Sequence, residues 1–165
     1  MRISHVLGGY EHRKQPQAVL FLNPRVARMA GSGRDATYAH ELAHLLTWRY
    51  TSHTLREGLA DYLALQLHPG AGVGPNREGH AVAKAQAPAL KALLGTTAPP
   101  PAALMDDPEF RRSYYSASYR FVSHLVQLKG LPKFLDLYAA DDPDRAYQGI
   151  YGLGRAALAE ASLAE

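Results

Sequence analysis

The chain has 165 residues, 47% of them hydrophobic and 20% charged, which is one domain's worth of an ordinary globular protein and excludes the disordered and membrane-spanning classes. A formal net charge of +3 with no run of five like charges gives no ground for a nucleic-acid or lipid partner; a scattered solvated surface accounts for it. Cysteine is absent, so disulfides, a thiolate-ligated metal and a thiol nucleophile are excluded together.

His5, Tyr10, Glu11, His12 and Lys14 interrupt any apolar run at the N-terminus, so the layout is not that of a secretory signal. No stretch approaches the length of a membrane span. With the missing cysteines this sets the expectation of a soluble cytoplasmic protein, secretion staying open if a leader has been trimmed. The segment from Arg2 to Leu7 is a weak strand candidate ended by Gly8-Gly9, whereas Gln17 to Leu22 is a better strand, closed by Asn23-Pro24. Gly31-Ser32-Gly33 is a turn and not a phosphate loop, because no clear strand precedes it and no lysine follows in the required place.

From Ala36 to Trp48 there is no Gly or Pro, and Leu42, Leu45 and Leu46 supply an apolar face, so the segment is predicted to be a helix, with Asp35 or Ser32 placed to cap its start. On it lies His40-Glu41-Leu42-Ala43-His44. Two histidines four residues apart share one helix face, which lets both imidazoles reach one zinc ion while Glu41 acts on a water bound to that ion. A helix also carries such histidines merely solvated or hydrogen-bonded, so the pattern alone does not suffice. A catalytic zinc takes three protein ligands and keeps one position open. Glu57, thirteen residues beyond His44 on a second helical pattern, is the third ligand this reading assigns; His53 is its best rival. Asp61, one turn after Glu57, is placed to accept the second ring N–H of a ligand histidine and so fix its tautomer.

Thr54-Leu55-Arg56-Glu57 also has the form of a capping box. Glu57 cannot cap and coordinate with the same oxygens, so the ligand role is preferred and Thr54 is left to cap alone. Leu55, Leu59, Leu63 and Leu67 form the predicted buried stripe, and Tyr62 is read as packing. His68-Pro69-Gly70 ends the helix. His80 to Leu94 is helical in pattern with a break expected near Ala87, ahead of Pro88, and Thr96 to Pro101 is a stiff exposed connection. Further helices begin at Asp106-Asp107-Pro108, run from Tyr115 to Lys129 with a stop at Gly130, reopen at Pro132, begin again at Asp141-Asp142-Pro143, and finish in an alanine-rich segment after Gly154.

The His40-Glu41-Leu42-Ala43-His44 motif followed by Glu57-Gly58-Leu59-Ala60-Asp61-Tyr62 resembles the gluzincin zinc metallopeptidases, and its Glu-Gly-Leu-Ala-x-Tyr form is similar to their small peptidase MA-like domains. The segments Tyr115 to Leu125, Lys129-Gly130, Phe134-Leu135 and Ala146-Tyr147 to Tyr151-Gly152 are similar to the C-terminal helices of those domains, so the likeness runs from about Ala18 to Leu163. It implies a zincin-like α+β fold, mostly helical: a small N-terminal β-sheet, then the motif helix, then a C-terminal helical bundle. One domain over 1–165 is expected, with strands within about 1–34, the zinc helices within about 35–67 and a helical part within about 80–165. In zincins the edge of that sheet pairs with an extended substrate backbone.

The implied activity is hydrolysis of peptide bonds in a peptide or protein substrate, with one Zn2+ held by His40, His44 and Glu57 and with Glu41 as general base and then acid. An oxyanion donor is also required. Tyr115 falls where the family places its tyrosine, with Tyr114 and Tyr119 as neighbours that stay open. The chain lacks the Gly-x-Met-Glu-Asn element that holds a free amino terminus in the large aminopeptidases, which favours an endopeptidase. Two alternatives stand beside this. One is a regulatory peptidase of the ImmA/IrrE type acting on a repressor, disfavoured by the absence of a helix-turn-helix pattern. The other is a non-catalytic binding module that keeps zinc for structure, disfavoured by Glu41, since a structural site needs no base.

Overall fold

The computed structural model describes residues 8–12, 18–22, 24–29, 31–47, 52–71 and 86–164. Two strands, β1 (Gly8–His12) and β2 (Ala18–Leu22), are followed by eight helices: α1 (Pro24–Ala27), α2 (Ser32–Leu46), α3 (His53–Leu67), α4 (Ala87–Leu94), α5 (Ala102–Asp106), α6 (Pro108–Tyr138), α7 (Pro143–Tyr151) and α8 (Arg155–Ala164). The expectation of an α+β fold with an N-terminal β-sheet does not hold: this is a helical fold. Among the described residues the strands pair only with each other, antiparallel from Gly8 opposite Leu22 to His12 opposite Ala18, beside α2. One hairpin of this size is no sheet layer. The main core is built between helices instead, so no sheet is needed to bury their apolar faces. The weak strand expected at 2–7 lies outside the described residues. Gly8-Gly9, expected to break the chain, opens β1.

The centre of the molecule is the packing of α3 on α6. Leu55 and Leu59 of α3 meet Phe110, Tyr114, Ala117, Phe121, Val122 and Leu125 of α6, and α4, α7 and α8 close the cluster with Leu90, Leu94, Tyr147 and Leu158. Leu63 is half-buried against it, but Leu67 of the predicted stripe is exposed, because the last turn of α3 runs past the end of the core. Gly58 sets the approach of the two helices. A Cβ there would lie 2.6 Å from Val122 Cγ2 and 2.8 Å from the Ser118 carbonyl carbon. Only hydrogen fits, so α3 carries the residues on either side of Gly58 hard against α6.

Other boundaries follow local chemistry. Pro88 lies in the first turn of α4, where its missing N–H costs nothing, so it begins the helix and does not kink it. Asp107 and Asp142 cap α6 and α7 through Glu109 N at 2.9 Å and Arg145 N at 3.1 Å. Gly130 interrupts α6 at φ 80° and ψ 159°, and the chain is helical again through Pro132. A second, smaller cluster of Ala36, Ala64, Leu65 and Ala71, flanked by Ala39 and Tyr119, joins α2 to α3. Among the described residues no helix is long and apolar enough to cross a membrane.

Candidate metal centre

Helix α2 starts earlier than expected. Gly31 precedes it at φ 64°, a left-handed conformation suited to glycine, and Ser32 and Asp35 lie inside the helix, not at its cap. Its buried side is Ala36, Thr37, His40, Glu41, Ala43 and His44. The predicted apolar face is not that side: Leu42 and Leu46 are 50% and 75% exposed. The contact with α3 is made by alanines, which lets the helices come close and leaves the interface to the histidines and Glu41.

Helix α3 is capped by Ser52, whose Oγ accepts from Leu55 N at 3.4 Å. Thr54, expected to cap, sits in the first turn with its Oγ1 3.1 Å from Tyr114 Oη. The shift resolves the conflict over Glu57, which stands a turn inside the helix and turns its carboxylate toward α2. His40, His44, Glu57 and Asp61 are all buried, Asp61 completely.

Three donor atoms converge. His40 Nε2 and His44 Nε2 are 3.0 Å apart, and Glu57 Oε2 lies 3.6 Å from the first and 3.4 Å from the second. Bonds of about 2.0–2.1 Å to a tetrahedral ion set neighbouring donors about 3.3 Å apart, the mean edge of this triangle. His40, His44 and Glu57 can therefore hold a metal ion. The opposite nitrogen of His40, Nδ1, faces Asp61 Oδ1 at 2.7 Å, which orients the ring so that Nε2 points at the other donors.

The electrostatics agree with a cation in this place. Burial opposes charge on His40, but the carboxylates of Asp61 and Glu57 outweigh it and push its pKa up to about 10. Burial likewise opposes charge on Glu57, and hydrogen bonds from His40 and His44 hold its carboxyl well below the usual range. Two anions thus draw positive charge into a buried space, and a divalent ion satisfies that demand as well as a proton does. Glu41 is buried next to the donors, and burial raises its pKa against the pull of the two histidines.

His53, weighed from sequence as a rival ligand, stands at the margin of the triad. Its Nε2 is 3.9 Å from Glu57 Oε1, and its Nδ1 is 3.0 Å from the hydroxyl of the buried Tyr114. Burial lowers its pKa. Tyr115 is half-buried against the apolar core, its ring 5.9 Å from that of Tyr114, and Tyr119 packs in the small cluster under α2. Tyr114 is thus tied to α3, the helix that carries Glu57. Sequence pointed only to its neighbourhood, since 61 residues separate it from His53 and nothing local connects them. The spacing of His53 and Glu57, one helical turn, is the only signal that placed those two together. His68 follows the last turn of α3, His80 lies outside the described residues, and His124 is buried in α6.

No protein-family model, no curated protein and no solved structure matches this chain.

Proposed function

We propose that the protein is a zinc-dependent peptidase, an endopeptidase acting on peptide or protein substrates. The observation that carries this is the placement of Glu41: a buried carboxylate that is not one of the three converging donors, on the same helix as two of them. A purely structural site has no use for such a group. The all-N/O donor set of two histidines and one carboxylate suits zinc, and three protein donors leave a fourth position for a reactant.

A zinc ion bound there supplies Lewis acidity, acidifying a water and polarising a carbonyl. The chain's own residues do the rest. Glu41 accepts the proton of the attacking water and delivers it to the departing amine. Asp61 holds His40 in the tautomer that directs Nε2 to the metal. Glu57 brings one negative charge to the donor set, so a zinc ion and its three donors together would carry +1, before the neighbouring carboxylates of Asp61 and Glu41 are counted.

The test is hydrolysis of casein by the zinc-loaded protein beside its Glu41→Gln variant. Activity in the parent that falls by at least about a hundredfold in the variant, with one zinc kept by both, supports the assignment. Equal activity in the two removes Glu41 from the chemistry. Absence of cleavage by a protein that binds zinc stoichiometrically turns the search to a single protein partner.

A further inference from the structure

The site as described has a base and a metal-binding triad but no donor for the oxygen on which negative charge develops. Four groups come into question: Tyr115, Tyr114, His53 and Arg56, and the guanidinium of Arg56 is taken up by its ion pair with Glu57 Oε1 at 3.6 Å. Tyr115 is half-buried in the core, and the Tyr114 hydroxyl is engaged by both His53 and Thr54. His53 differs. Its side chain is 22% accessible, its Nδ1 is anchored, and its Nε2 lies beside the triad, 3.9 Å from Glu57 Oε1 and too far for a hydrogen bond to it.

The tautomer follows from the neighbours. With a hydrogen on Nδ1, the lone pair of Nε2 would face the Glu57 carboxylate, lone pair against negative charge. With a hydrogen on Nε2, the ring turns a positive edge toward that carboxylate and toward whatever binds beside it. Nδ1 is then an acceptor, so Tyr114 Oη must donate to it, and Thr54 Oγ1 at 3.1 Å donates to Tyr114 in turn. The three groups form one directed chain, Thr54 to Tyr114 to His53, ending in an N–H on Nε2. A donor fixed in advance of the reaction pays no reorganisation when charge develops.

We propose that His53 is the hydrogen-bond donor to the oxygen of a carbonyl group bound at the triad, and that Tyr114 and Thr54 are positioning residues that set its tautomer. The proposal rests on the peptidase reading for its substrate but not for its test. It also explains why a histidine one turn before a metal ligand is held off the metal: its second nitrogen is tethered to α6 through Tyr114.

Two measurements decide it, neither using turnover. Nitrogen-15 NMR of the histidine rings in the zinc-loaded protein reads the tautomer of His53. A protonated Nε2 is expected in the parent, and a shift toward the Nδ1–H form in Tyr114→Phe. A parent in the Nδ1–H form, or a His53 nitrogen bound to the metal, overturns the proposal. Binding of acetohydroxamic acid, a small zinc-binding carbonyl compound, reads the donor itself. His53→Ala should weaken it about tenfold with zinc affinity unchanged, and His53→Gln, which keeps an N–H, should recover part of the loss. Unchanged acetohydroxamic acid binding in His53→Ala, or an equal loss in Tyr115→Phe, overturns it. Failure of casein cleavage with these results intact would count against general peptide hydrolysis and leave the donor in place.

Discussion

His40 is held at both of its ring nitrogens, by Asp61 on one side and by the facing donors on the other. Because Asp61 is wholly buried, removing its carboxylate leaves the Nδ1–H of His40 without its acceptor and lets the ring turn. Asp61→Ala is therefore expected to lower zinc affinity by about 10–100-fold, read by competition with a chromophoric chelator. An affinity equal to the parent's would show that the ring is oriented by packing alone. At this scale the site was largely legible in the sequence, for a geometrical reason. His40 with His44, and Glu57 with Asp61, each lie four residues apart, and the helical repeat converts that spacing into a shared face without knowledge of the fold. What was not legible crosses between helices: Tyr114 reaches His53 and Thr54 only because α6 packs on α3. Likewise Ser52 replaces Thr54 as the cap, and its Oγ also receives Nη2 of the buried Arg155 at 3.0 Å, from 103 residues away.

Between elements, the decisive contact is the one at Gly58, flanked by Glu57 of the donor triad on one side and the core residue Leu59 on the other. Gly58→Ala would raise helix propensity in isolation. In this fold the added methyl meets the backbone of Ser118, which cannot move aside as a flexible side chain could. The expected outcome is destabilisation by about 1–3 kcal/mol, read by chemical denaturation, together with weaker zinc binding as α3 is pushed off α6. A neutral or stabilising effect would mean that the crossing is looser than described. Sequence marks Gly58 only as part of a motif, since close backbone approach leaves no composition signal. The starts of α6 and α7 were readable because Asp107 and Asp142 act on their own chain, as was the break at Gly130. The expected sheet failed for the complementary reason. Ala18 to Leu22 is a strand in pattern and in fact, but whether a strand joins a layer depends on partners that its own residues do not specify.

Across the whole molecule the residues of the candidate site divide between two unequal parts. Glu57 stands on α3, locked into the main core, whereas His40, Glu41 and His44 stand on α2, which meets α3 through the small cluster of Ala36, Ala64, Leu65 and Ala71 and leaves Leu42 and Leu46 exposed. Alanines bury little apolar area, so the docking of α2 draws less on the hydrophobic effect than the α3–α6 core does. A metal ion shared by both helices is then a cross-link at the weaker seam, and its stabilisation grows with zinc as about 4 kcal/mol at a thousandfold excess over Kd. In the metal-free protein the same seam is held by His40 as a cation between two carboxylates. The sign of its pH dependence follows. His40, with its pKa raised to about 10 from 6.5, contributes fully below about pH 6.5 and loses its contribution as pH rises toward 10. Glu57, lowered well below 4.5, contributes above that value and loses its contribution in acid. The metal-free fold should thus be best stabilised by this cluster between about pH 4.5 and 6.5, and its melting temperature should fall as pH rises from there. Zinc competes with the proton for Nε2 of His40, so the stabilisation that zinc adds should run the other way, small in acid and growing toward pH 10. Melting curves with chelator and with zinc at pH 5.5, 7.5 and 9 test this, and hydrogen exchange at pH 7.5 locates the effect. Protection gained on zinc addition is expected in α2 beyond that in α6. A zinc increment that does not change with pH, or one spread evenly over the helices, would place the stabilising role of the ion elsewhere than at the α2–α3 seam.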